Sequence, residues 1–117
     1  MGKDLYNNME LIFMVDVEAT KENIFDIMDN LYDQMMFSIE DVKVAQIKSN
    51  VELMRRDSSE NNMKICLDDL QGIYEYLHRK YPDDDLVNSL RIRINDCRVL
   101  FDLIDESEIE LDDVVQE

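Results

Sequence analysis

Apolar residues recur along this chain at steps of three and four, the spacing that gathers them on one side of an α-helix. Ile24, Ile27, Met28, Leu31 and Met35 form the first clear stripe, with Glu22, Asp26, Asp29 and Asp33 filling the other side. Thr20 is placed to cap this acidic amphipathic helix. Ser38, followed three residues later by Asp41, offers a second start, after which Val44, Ile47, Val51 and Met54 make a narrow, nearly heptad seam. Ser58 or Ser59 opens a third helix. There Met63, Cys66, Leu70, Ile73 and Leu77 form one stripe and Leu67, Tyr74 and Tyr81 a second beside it, a face broad enough to be central in the core. Pro82 disfavours helical dihedrals at Tyr81 and stops that helix, and Asp83, Asp84 and Asp85 place negative charge at the start of the next. Leu86, Leu90, Ile94, Cys97, Phe101 and Ile104 define this last helix.

The two ends read differently. Leu5, Met9, Ile12 and Phe13 fit a helix starting near Asp4, whereas Leu11, Phe13, Val15 and Val17 alternate as a strand would. Helix is the preferred reading for residues 1–19, because no partner strand is evident elsewhere. Past Asp105 hydrophobes and acids mix without a single basic residue, so helical restraint is expected to fade. The pattern therefore predicts an all-α protein: a compact antiparallel bundle of four to five helices over residues 1–104, followed by a short acidic tail over 105–117.

Composition narrows this further. Two Gly and one Pro in 117 residues suit helices joined by short loops, since a many-stranded sheet needs a turn for every strand pair. The formal net charge of −16 is carried unevenly: residues 1–42 and 99–117 are strongly acidic, and the middle is balanced. Such a surface repels nucleic acid and anionic membranes. The run Leu11-Ile12-Phe13-Met14-Val15 is too short to span a membrane and lacks the flanks of a signal peptide, so the expected location is the cytoplasm or another intracellular compartment. Cys66 and Cys97 lie inside apolar runs and read as buried reduced thiols, with a disulfide as the less favoured option.

Motifs for chemistry are missing. Carboxylates such as Asp68 and Glu75 are plentiful, but none lies on an apolar stripe where burial would raise its pKa into the working range of a general acid. His78, the only histidine, sits beside Arg79 and Lys80 in a helix's last turn and reads as a solvated C-terminal cap. With no second histidine, no HExxH and no calcium-loop glycine after the aspartate triple, no metal is expected. Two glycines cannot form a nucleotide-binding loop, and no G-x-S-x-G is present. No catalytic residue, cofactor or metal ligand is therefore assigned. The basic residues Lys43, Lys48, Arg55, Arg56, Lys64, Arg91, Arg93 and Arg98 read as salt-bridged helix surface, with Arg91, Arg93 and Arg98 as the alternative receivers of an acidic segment.

The expectation is a small acidic, non-enzymatic protein-binding domain of the inhibitor, immunity or antitoxin type. It would occupy a basic, nucleic-acid-binding surface of a partner by mimicking phosphate charge. The contact would be made by Glu22, Asp26, Asp29 and Asp33 together with the tail residues Glu108, Ile109, Glu110, Leu111, Asp112, Asp113, Val114 and Val115. Ser107 would gain charge there if phosphorylated. The alternative is a helical adaptor or chaperone that holds a partner helix in an apolar groove of Met28, Met35, Met36 and Phe37. Neither reading involves direct nucleic-acid or membrane binding, and a homodimer through the Val44, Ile47, Val51 and Met54 seam is a third option.

Overall fold

In a computed structural model the backbone is described over residues 16–116 and the side chains over 16–104. Four helices are present there: α1 (Val17–Ser38), α2 (Val42–Arg56), α3 (Glu60–Lys80) and α4 (Asp85–Gln116). The choice between helix and strand for residues 1–15 lies outside the described residues.

Short polar side chains set each start. Asp16 caps α1 by accepting from the Ala19 N–H at 3.1 Å. Thr20 thus falls inside the first turn, where its hydroxyl donates to the Asp16 carbonyl at 2.7 Å, and the helix begins ahead of the expected cap. Asp41 caps α2, accepting from the Lys43 N–H at 2.9 Å, while Ser38 spends its hydroxyl on α1's own carbonyls of Gln34 and Met35. Ser59 caps α3 as expected. The α2–α3 turn is closed by Asn62, whose Nδ2 donates to the carbonyls of Leu53 and Asp57. Tyr81 ends α3 before Pro82, and Asp84 accepts from Leu86 and Val87 to open α4.

Short turns fold consecutive helices back on one another, and α4 returns to pack on α1, so each helix touches two neighbours around a shared core. Opposed pairs such as Arg55 with Glu22 and Lys48 with Asp29 fix α1 and α2 as antiparallel, and Arg98 with Asp68 joins α4 to α3. The core is built from the anticipated stripes: Ile24, Met28, Leu31 and Met35 from α1, all four seam residues of α2, the broad face of α3, and Leu90, Ile94, Cys97 and Ile104 of α4. The α2 seam is therefore consumed inside the chain's own bundle, which removes it as a dimerisation face. Asn50, buried among these residues, satisfies its amide by donating to the Gln46 carbonyl at 2.9 Å.

α4 differs from expectation at its end. Its backbone stays helical to Gln116, through the segment expected to lose helical restraint. Nothing between Asp105 and Gln116 is a glycine or a proline, so no residue there obliges the helix to stop. No helix among the described residues is long and apolar enough to cross a membrane.

Candidate functional site

The α1 carboxylates form one ridge, because Glu22, Asp26, Asp29 and Asp33 are spaced four, three and four apart. Two cations of α2 reach it. Arg55 approaches Asp29 at 2.7 Å, Glu22 at 3.4 Å and Asp26 at 3.7 Å, and its guanidinium lies over the Phe25 ring at 5.1 Å. Lys48 adds a second contact to Asp29 at 3.1 Å. Asp29 thereby raises the Arg55 pKa above its ordinary value, chiefly through that short hydrogen bond. Asp33 is exposed and has no ion pair among the described residues. Three of the four carboxylates thus share two cations, and the side chains of Glu22 and Asp26 remain 61% and 66% exposed.

The four apolar residues assigned to a groove do not come together on one surface. Met28 and Met35 are fully enclosed in the core, whereas Met36 is 46% exposed and Phe37 86% exposed at the end of α1. Helical phase explains the split: Met28 and Met35, seven apart, share the buried stripe, and the next two positions turn away from it. The tail residues Glu108 to Val115 lie on the helical backbone of α4, and their side chains are outside the described residues.

A second cluster escaped the sequence reading. Asp41, read only as a helix start, has a side chain just 4% exposed, so one carboxylate is enclosed after all. Its Oδ1 accepts from the Lys43 N–H, and its Oδ2 from Lys80 Nζ at 2.9 Å and the Tyr81 hydroxyl at 3.4 Å. The Lys80 hydrogen bond, then the Lys43 N–H, hold its pKa below the ordinary carboxylate value against the opposing effect of burial. Lys80 is raised in return, first by that same hydrogen bond. A carboxyl held ionised in this way is an anchor and is poorly suited to donating a proton near neutrality. The only hint in the sequence was the Asp41 cap itself, since pairing across 39 positions depends on the fold.

Other groups are also placed. His78 is partly buried and stacks on Tyr74 with ring centroids 5.4 Å apart, so the solvated cap expected there is replaced by a ring held against the core. Its Nδ1 is enclosed and has no hydrogen-bond partner among the described residues. Cys66 and Cys97 are free and buried, as expected. Burial pushes the Cys97 thiol up to about 12 and also raises Cys66. Two open grooves flank α4, one between α3 and α4 lined by Lys64, Leu67, Arg98 and Phe101, the other against α1 lined by Ile27, Gln34, Ser89 and Arg93. None of the groups with a displaced pKa lines either groove. The geometry thus offers surfaces for ion pairing and apolar contact. Compared with protein-family models, curated proteins and solved structures, the chain matches none.

Proposed function

We propose that this chain is a small acidic protein-binding domain of the inhibitor, immunity or antitoxin kind, which covers a basic surface on a partner protein. The observation that carries the reading is the α1 ridge, whose exposed carboxylates outnumber the two cations reaching them, on a chain of net charge −16. Rows of carboxylates on a rigid helix compete with phosphates for Lys and Arg, which makes a nucleic-acid-handling surface the natural target. Arg55 and Lys48 hold the inner carboxylate, Asp29, and so fix the ridge's shape. Glu22 and Asp26, mostly exposed beside Arg55, and Asp33, outside its reach, face a partner.

The test is capture from native lysate at low and high salt, comparing the native chain with a triple variant carrying Glu22→Gln, Asp26→Asn and Asp33→Asn. Retention of a basic protein at low salt, with loss in high salt and in the triple variant, is the expected result. The reading is wrong if no basic partner is retained, or if the triple variant captures it equally well.

A further inference from the structure

The outer side of α4 carries a second apolar stripe, opposite the one that enters the core. Ile92, Val99 and Leu103, separated by seven and four positions, are 48%, 60% and 40% exposed. They share one face of the helix, because these steps return almost to the same angle at 3.6 residues per turn. Leu90, Ile94, Cys97 and Ile104 occupy the buried side of the same helix, so the outer stripe is surplus to the fold.

Charge along α4 is polarised. From Asp85 to Arg98 it holds Arg91, Arg93 and Arg98 against two aspartates, and from Val99 to Gln116 it holds seven carboxylates and no base. We infer that the stripe is a self-association face, on which α4 packs antiparallel against α4 of a second copy of this chain. A parallel pair would set the acidic halves side by side, whereas the antiparallel pair sets each basic half against the other's acidic half. Packing Ile92 level with Leu103 of the second copy also places Asp96 level with Val99. Arg91 then lies within about 3 Å in height of Asp102 on the second copy, at 1.5 Å per residue. Arg91 and Asp102 are both exposed, and neither has an ion pair among the described residues.

The same register explains why the pair is weak. Asp96 sits in the middle of the seam, tied to Arg93 at 3.1 Å, and must be partly desolvated on contact. The stripe spans about 17 Å. So short a stripe falls short of a standard interface of roughly 800 Å² per partner, and association is expected to be weak.

Sedimentation equilibrium of the native chain, carried to about 1 mM, should show a monomer–dimer equilibrium. Asp96→Leu should tighten it about tenfold by replacing the seam's charge with an apolar side chain. Val99→Glu should abolish it while circular dichroism remains unchanged, since Val99 contributes little to the core. Orientation is read by disulfide trapping. Mixing an Ile92→Cys protein with a Leu103→Cys protein should give a cross-linked pair that neither gives alone. A mass that stays monomeric, or an equilibrium indifferent to Val99→Glu, overturns the inference. Cross-linking of Leu103→Cys alone overturns the antiparallel arrangement.

Discussion

Two of the carboxylate sites that join helices in this molecule differ in depth. At the α1–α2 ridge Asp29, Asp26 and Glu22 gather round Arg55 in contact with water. At the base of the bundle Asp41 is enclosed, and it unites a helix start, a lysine and a tyrosine hydroxyl from the far end of α3. Exposed ion pairs contribute little because water and salt compete for both partners. An enclosed carboxylate that already satisfies backbone and side-chain donors leaves several groups unpaired when it is removed. Depth thus separates a fastening from a surface with charge to spare.

The largest effect should follow Asp41→Ala. Loss of a cap together with the hydrogen bonds from Lys80 and Tyr81 should cost about 2 kcal/mol. In thermal unfolding this is a drop of about 10 °C for a chain of this size. A drop no greater than that of Asp33→Ala would erase the contrast between the clusters. The pH dependence sharpens the same point. Asp41 has a lower pKa folded than unfolded, so its contribution is present in full above the unfolded value of about 4 and is lost as pH falls through the folded value. The stability gap between the native chain and Asp41→Asn should therefore be constant near neutrality and close in acid, as measured by urea unfolding across that range.

At the ridge, Arg55→Ala should cost about 1 kcal/mol or less, part of it from the lost contact with Phe25, and the charge-dependent part should fade in high salt. Urea titrations at two ionic strengths measure it. The smallest change calibrates the others. Gly72 lies on the exposed side of α3, and a Cβ built there meets nothing within 4 Å. Gly72→Ala should stabilise by about 0.5–1 kcal/mol through backbone entropy alone. If Arg55→Ala moves the midpoint less than this, the ridge contributes little to folding and its carboxylates are free for other work.

These differences also mark what the sequence could disclose. The repeat of Ile24, Met28, Leu31 and Met35, and its counterparts in the other three helices, made the bundle legible because burial follows a local period. Ser59 and Pro82 gave α3 its ends for the same local reason. Thr20 and Ser38 misled because several short polar residues stood near each start, and only the folded backbone decides which carboxylate meets the free N–H groups. The pairing of Asp41 with Lys80 and of Asp29 with Arg55 was illegible, since it depends on which helices become neighbours. The ridge was visible as a row of acids, but its partial neutralisation by α2 was not. The outer stripe of Ile92, Val99 and Leu103 was readable in principle and was masked by the stronger stripe on the same helix.

One further property follows from the unequal lengths of the helices. α4 runs for 32 residues and α2 for 15, about 48 Å against about 22 Å. Cys97 meets the Ile24 carbonyl, so seven residues on Ile104 is about level with the start of α1, and the backbone beyond continues as helix for about 18 Å. The six carboxylates that the sequence places on this stretch are expected to draw a positive surface toward it before any side chain touches.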